Sequence, residues 1–295
     1  MKRLYLVVNP QGGKKNGKAV LSEVKPRFEA AGIDITIRET EYAGHAREIV
    51  QEVDFKDLDG LCAIGGDGTM HEIINGMLSR PDKLTLPLGQ IPAGTGNSFL
   101  YGFDCHTPED AMSRILAGST KPVDVAQVTL GEKKLYAFNI IGWGMVTDIL
   151  VQSERLRWLG ENRYTVASAI EVLKGKRRQA KLIVDGKESN SRFNFILACN
   201  TQYTGKGMRM APYADVADGL IDLVIVRKAT RLQMLRLLPK VFNGSHVESP
   251  LLEYVKTKQY ALVPEVDEII NIDGELLEKS TIRVEMIPHA IQVFV

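Results

Sequence analysis

The 295-residue sequence has no surplus of charge of either sign: 37 lysines and arginines stand against 36 aspartates and glutamates, a formal net charge of +1. That balance excludes nucleic-acid binding through a generally basic surface, while leaving local patches open. Cysteine is scarce. Cys62, Cys105 and Cys199 lie far apart in or beside apolar segments and form no C-x-x-C. They exclude a disulfide framework and fit buried or free thiols in a reducing, cytoplasmic setting. The five histidines are scattered without ligand spacing, so a structural zinc site is not expected. His45 and His71 each fall on a predicted helix and are assigned no catalytic role. Long apolar runs are missing too. No stretch approaches the ~20 residues needed to span a bilayer, and the apolar run within MKRLYLVVNP is too short for a signal-peptide core. The sequence therefore describes a cytoplasmic chain whose membrane association is peripheral.

What is present is the composition of a well-cored soluble protein, 44% hydrophobic and 25% charged, enough for one large or two moderate domains. Over residues 1–125, strand patterns (RLYLVV, IDITIRE, GLCAI, LPLGQIP) alternate with helical ones (GKAVLSEVKPRFEAAG, AGHAREIVQEV, TMHEIINGML, TPEDAMSRIL). The unbroken apolar run of GLCAI predicts a strand buried on both faces. Pro26 is expected to kink or end the first helix, and Thr107 with Pro108 reads as an N-cap followed by a first helical residue. The alternation predicts a doubly wound, mostly parallel α/β sheet. After KPVDVAQVTL the rhythm changes to alternating segments such as KLYAFNII, RFNFILACN and LIDLVIVRK, a mainly β domain over 126–295. The boundary falls near Val123 to Thr129, with the C-terminal residues free to return to the first domain. Two helical patterns interrupt the second domain, at 145–175 and 230–243. In the latter, Leu232, Met234, Leu235, Leu237, Leu238, Val241 and Phe242 are interleaved with Arg231, Arg236 and Lys240. Such a pattern suits a helix lying at a lipid interface and equally a helix packed on a core.

The segment AIGGDGTMHEIINGM, Ala63 to Met77, sets three glycines and Asp67 between a strand and a helix, although each glycine costs folding entropy. A glycine-rich turn at a helix N-terminus turns backbone N–H groups and the positive end of the helix dipole toward a phosphate. Asp67 could there hold Mg²⁺ through water or accept a proton from an attacking hydroxyl. Alone, the loop is equally a tight turn whose aspartate caps the helix. Two companions tip the balance: IPAGTGNSF, with glycines flanking Thr95 and then Asn97, and VNPQGGKKNGK, with Asn9. Lys14, Lys15 and Lys18 in the latter default to solvated charges. Loops at the carboxyl ends of strands gather on one edge of a doubly wound sheet, so three such loops favour a polyphosphate site.

These segments resemble the diacylglycerol kinase catalytic-domain superfamily, which includes sphingosine, ceramide and bacterial diacylglycerol kinases. Further matches are TEYAGHAREIV at Thr40–Val50, GWGMVTDILVQSERLRWLGENRYT at Gly142–Thr165, the AP and DG within Ala211–Gly219, and NIDGE at Asn271–Glu275. They cover nearly the whole chain in family order. The resemblance implies an N-terminal α/β nucleotide-binding domain, a C-terminal β-sandwich lipid-binding domain, and ATP with Mg²⁺ in the cleft between them. It implies phosphoryl transfer to a lipid hydroxyl at a membrane surface, and leaves a homodimer open.

Carried over by position, Asn9, Thr40, Gly65, Gly66, Gly68, Thr69, Gly94, Thr95, Gly96 and Asn97 would hold the nucleotide. Arg157 and Arg163 would reach its phosphates, although spacing alone would leave them on an exposed helix face. Asp67 matches the catalytic aspartate of sphingosine kinases and Asp273 the base proposed in bacterial relatives; the resemblance does not choose between them. Glu275 would orient metal or nucleotide. Asp148 matches an acidic residue facing the lipid head, or is simply a carboxylate favoured at a helix start. Leu150 stands where sphingosine kinases carry a second aspartate. A leucine cannot balance a desolvated ammonium, so the expected acceptor is ceramide or an acylglycerol rather than free sphingosine. A soluble-substrate kinase of the NAD kinase type shares the Gly-Gly-Asp-Gly-Thr turn, but that family's Gly-Ser-Thr-Ala-Tyr element is absent. A catalytically silent relative is the remaining alternative, against which the presence of both Asp67 and Asp273 speaks.

Overall fold

The computed structural model describes residues 2–13, 15–94, 97–205, 207–278 and 281–295, without the Glu161 side chain. The chain divides into two units, one running to Val125 and including Pro288–Val295, the other comprising Ala126–Ile287.

The first unit alternates β1 (Arg3–Val8), α1 (Gly17–Ala30), β2 (Asp34–Glu39), α2 (His45–Glu52), β3 (Gly60–Gly65), α3 (Asp67–Leu78), β4 (Leu88–Pro92), α4 (Ser98–Tyr101) and α5 (Pro108–Ala117). The strands lie parallel in the order β2-β1-β3-β4. The chain moves outward from β1 to β2 and then crosses back to β3, so the sheet reverses direction between β1 and β3. Ligands of open α/β sheets bind at such a reversal, beyond the carboxyl ends of the strands. Every residue of β3 is buried, as its apolar run predicts. Thr107 caps α5 reciprocally with Asp110, and Pro108 opens the helix. Pro26 departs from expectation, because α1 runs through it to Ala30. Pro26 lies on the exposed face, where water can satisfy the carbonyl left without a partner, while Val20, Val24 and Phe28 anchor the opposite face.

β5 (Thr120–Leu130) leads into the second unit, which continues with β6 (Lys133–Ala137), β7 (Ile140–Gly144), α6 (Met145–Arg155), α7 (Arg163–Lys174), β8 (Arg178–Val184), β9 (Lys187–Cys199), β10 (Ile221–Arg227), α8 (Arg231–Leu237), β11 (Leu252–Thr257), β12 (Gln259–Pro264), β13 (Ile270–Ile272), β14 (Glu275–Leu277) and β15 (Ile282–Phe294). The long β9 pairs antiparallel with β8 along its first half and with β7 and β10 along its second. This is the β-sandwich, with Trp143, Phe193, Ile196, Leu223 and Val284 in its core. A second core, containing Met145, Val172, Phe195, Met234 and Leu237, lies beneath α6, α7 and α8. The 145–175 pattern is two α-helices joined by a 3-10 stretch, Arg157–Asn162, in which Gly160 adopts φ 58°, ψ −123°. That conformation interrupts any regular helix. Similarly, α8 tightens into a 3-10 turn at Leu238–Val241 where Pro239 lacks the N–H for the next helical bond.

The last strand returns to the first unit, where Val293 pairs with Leu88 of β4. All three cysteines are free and buried; burial pushes the Cys62 thiol up to about 12. Among the described residues, no helix is long and apolar enough to cross a membrane.

Candidate active site

Three turns at the carboxyl ends of β1, β3 and β4 interlock. Asn9 after β1 donates from Nδ2 to Thr69 Oγ1 in α3 at 3.1 Å. Its carbonyl and side chain brace its own turn, accepting from the amides of Gly12 and Gln11. Backbones approach so closely here that a Cβ on Gly94 would lie 2.7 Å from Gly66 Cα, and one on Gly13 2.5 Å from the Ala93 carbonyl. These glycines are required by packing of turn on turn, whatever binds there. Thr40 lies just beyond β2, its amide bonded to the Val8 carbonyl at 2.8 Å, at the same end of the sheet.

Gly68 is different. It is the second residue of α3, is exposed, and has φ outside the left-handed region. A Cβ added there would meet no atom of the described residues within 4 Å. Neither backbone conformation nor packing among the described residues asks for glycine, and alanine would be the better helix former. The opening turn of α3 has no side-chain cap, and the first amides of a helix have no acceptor within it. Bare backbone at the positive end of a helix dipole is what an approaching phosphate requires.

Asp67 is the first residue of α3, and its side chain reaches a neighbouring turn. Its Oδ2 accepts from the Ser98 amide at 2.7 Å, the start of α4, and Gln90 Nε2 lies 3.4 Å from Oδ1. The carboxylate thus ties the β3–α3 turn to the β4–α4 turn while remaining partly exposed. Two buried amide oxygens nearby, Gln90 Oε1 and Asn97 Oδ1, have no hydrogen-bond partner among the described residues. A buried acceptor left without a donor costs about 1–3 kcal/mol. Thr95 and Gly96, expected to hold nucleotide, lie outside the described residues, as does Lys14. His71 is buried against Asn75, and His45 stacks on Tyr42 while accepting the Glu41 amide.

In the second unit, Arg157 and Arg163 converge on one carboxylate. Arg157 Nε donates to Glu154 Oε2 at 2.6 Å, and Arg163 Nη1 lies 3.4 Å from Oε1. Asp273 is buried, adopts φ 51°, and accepts three backbone N–H bonds, from Phe138 (2.9 Å), Asn139 (3.0 Å) and Ile140 (2.8 Å). Glu275 opens β14 opposite Ile272 and is exposed. Asp148, in the first turn of α6, is gripped by Arg178, whose Nη2 lies 2.8 and 2.7 Å from its two oxygens. Arg178 is itself buried and also pairs with Glu268. Leu150 is half-buried one turn into α6. The structure therefore draws Asn9, the Gly65–Thr69 turn, Gly94 and Asn97 together in the first unit. It places Arg157 with Arg163, Asp148 with Arg178, and Asp273 with the β6–β7 turn in the second.

Gln90, Glu154 and Arg178 escape sequence reasoning. Gln90 leaves one signal, a polar residue within the otherwise apolar strand LGQIP. Glu154 and Arg178 sit in charged stretches, where nothing distinguishes a partner from a solvated side chain.

Comparison with known proteins adds to this geometry. Residues 3–128 match the family model of the diacylglycerol kinase catalytic domain. Residues 139–295 match that of the YegS C-terminal NAD kinase beta sandwich-like domain. The chain is 30% identical to sphingosine kinase 1 of Arabidopsis thaliana, over 94% of this chain and 69% of that protein. It is 29% identical to a diacylglycerol kinase of Bacillus subtilis (strain 168), over 93% and 90%. The fold is shared with a diacylglycerol kinase of Bacillus anthracis str. Sterne, with a TM-score of 0.81 at 23% identity, covering 99% of this chain and 96% of that one.

Proposed function

The chain belongs to the diacylglycerol kinase catalytic-domain family, and on that premise we propose that it transfers the γ-phosphoryl group of ATP to the hydroxyl of a lipid whose head carries no positive charge. The observation that carries this reading is Gly68, a glycine at a helix start that neither its backbone conformation nor packing among the described residues requires. The α3 opening amides and the interlocked turns around Asn9, Gly66 and Gly94 form the phosphate cradle, rigid before ligand arrives. Gln90 Oε1 and Asn97 Oδ1 supply two acceptors for a nucleotide or an ordered water.

In the transfer, the lipid oxygen bonds to the γ-phosphorus, the bond to the ADP oxygen breaks, and the hydroxyl proton passes to Asp67. Asp67 is favoured as base over Asp273, whose carboxylate is occupied by three backbone donors that close the β6–β7 turn. Arg157 and Arg163 contribute by exchanging Glu154 for phosphate oxygens, a bidentate geometry for which arginine is suited. Among the described residues, no group of three His, Cys, Asp or Glu side chains could enclose a metal. One carboxylate nonetheless fits Mg²⁺, which keeps several waters and takes phosphate oxygens rather than an all-protein cage. Asp67 would hold it through water, which leaves the carboxylate itself for the proton, and the ion would neutralise phosphate charge.

Two features support an uncharged acceptor head. Leu150 offers nothing to an ammonium, and the Asp148 charge is already balanced by Arg178. Radiolabelled ATP offered with ceramide, diacylglycerol, sphingosine and NAD tests the proposal. Label should appear on ceramide or diacylglycerol in preference to sphingosine. Label on NAD alone would make this a soluble-acceptor kinase, and label on none would make it a silent relative.

A further inference from the structure

The chain is almost neutral, yet from Leu223 to Val247 it contains no acidic residue and has Arg227, Lys228, Arg231, Arg236 and Lys240. Of these, Arg227 is held by Glu253. Lys228, Arg231, Arg236 and Lys240 are exposed, and none has a carboxylate partner among the described residues. The same segment carries the helical stretch formed by α8 and the 3-10 turn after it, and its apolar residues divide in two. Met234 and Leu237 are buried in the core beneath the helices. Leu232, Leu235 and Phe242 are 58%, 37% and 56% exposed. At about 100° per residue within α8, Leu232 and Leu235 share the outward face, with Arg236 on one flank and Arg231 on the other, and Lys240 follows, exposed, in the 3-10 turn. The end of α7 adjoins this face: Arg231 donates to the Lys174 carbonyl at 3.2 Å, and Leu173 there is also exposed.

From this pattern we infer that the outer face of α8 and its 3-10 extension is a docking surface for an anionic lipid bilayer. The inward residues fill the core, and Leu232 and Phe242 leave more than half of their surface in water, so folding alone gives little reason for apolar side chains there. An apolar strip flanked on both sides by cations that have no carboxylate partner among the described residues matches the layering of a membrane interface, acyl chains below and anionic headgroups beside. The capping box of Thr230 with Gln233 fixes the start of the helix, so the surface is ordered before it meets lipid. Long basic side chains can extend to headgroups while their stems cover apolar surface.

The inference stands on this surface and not on the catalytic reading, since vesicle binding is measured without ATP or acceptor. Sedimentation of the intact protein with phosphatidylcholine vesicles containing about 30 mol% phosphatidylserine should show binding that weakens with salt, and pure phosphatidylcholine vesicles should bind far less. Arg236→Gln with Lys240→Gln should weaken partitioning roughly fivefold per charge. Leu232→Ser with Phe242→Ser should weaken it at least tenfold on vesicles while leaving thermal stability unchanged, because the replaced side chains face outward. Binding that is unaffected by both double variants would overturn the assignment of this face. So would sedimentation equilibrium showing a dimer that Leu232→Ser dissolves, since a second copy of the chain would then cover the strip.

Discussion

Gly68→Ala separates a phosphate cradle from an ordinary turn, because the two give opposite signs in one protein. The added methyl would meet no atom of the described residues within 4 Å, and the φ of Gly68 is one that alanine accepts. Without nucleotide, the substitution improves helix propensity and restricts the unfolded chain, together gaining about 0.5–1 kcal/mol. For a chain of this length that raises Tm by about 1–3 °C. With nucleotide, the methyl stands where phosphate oxygens approach backbone. Forcing a methyl into a filled contact costs about 1–3 kcal/mol, which is about 5- to 150-fold in Kd. Calorimetric Tm without ligand and titration calorimetry with ATP and Mg²⁺, on the same preparations, read both effects. A variant that is more stable and binds ATP poorly confirms that the glycine is kept for ligand. Unchanged ATP affinity would refute the cradle, and a lowered Tm would reveal a packing role.

Three further outcomes follow from named contacts. Asp67→Asn keeps an oxygen for the Ser98 amide, so the fold and ATP binding should persist while turnover falls about 10²- to 10⁴-fold; near-normal rates would confine Asp67 to joining two turns. Leu150→Asp should raise the ratio of kcat/KM for sphingosine to that for ceramide by about 10- to 150-fold, the worth of a charge-assisted contact of about 1.5–3 kcal/mol, and a wild-type enzyme that already prefers sphingosine would remove Leu150 from the specificity account. His246 is buried, and desolvation holds its pKa below the ordinary 6.5. The unfolded chain therefore takes up this proton first, and the stability His246 contributes is present above about pH 6.5 and lost as pH falls through its lowered folded value. Tm should drop more between about pH 8 and about pH 5.5 in wild type than in His246→Gln, and equal drops would assign the acid sensitivity elsewhere.

The βα alternation was legible because the central strand β3 is apolar on both faces, the edge strand β2 alternates, and each helix is apolar on one face, patterns set by immediate neighbours. Thr107 with Pro108 was legible for the same reason, since a helix start is marked by adjacent residues, whereas the answering bond from Asp110 was not foreseen. Pro26 misled because the cost of proline in a helix depends on which face it occupies, and that face is fixed by Val24 and Phe28 meeting the sheet. Gly160 hid a break because a glycine within a helical pattern does not announce its φ. The partnership of Asp148 with Arg178 spans 30 residues and that of Gln90 with Asp67 spans 23. Neither spacing corresponds to a helix turn or a hairpin, so only tertiary placement could create them. Sequence could nominate Asp148 as a charge near a ligand; it could not show that the charge is already balanced.

The last strand has a consequence for how the protein is made. β15 begins within the second unit and ends in the first, where Val293 pairs with Leu88, Phe294 lies against Gly60, and the Val295 amide bonds to the Ser119 carbonyl. Translation delivers those residues after the second unit's other strands, so the nascent first unit spends most of synthesis with β4, a strand buried throughout in the finished fold, as an uncovered edge. Such an edge is a template for pairing with another chain, and closing it late brings together segments some 200 residues apart. The α/β unit that would hold ATP is therefore not a module that can mature ahead of its neighbour. A fragment ending at residue 125 should be sticky rather than idle, and supplying the Pro288–Val295 segment earlier in the chain, by circular permutation, should relieve it.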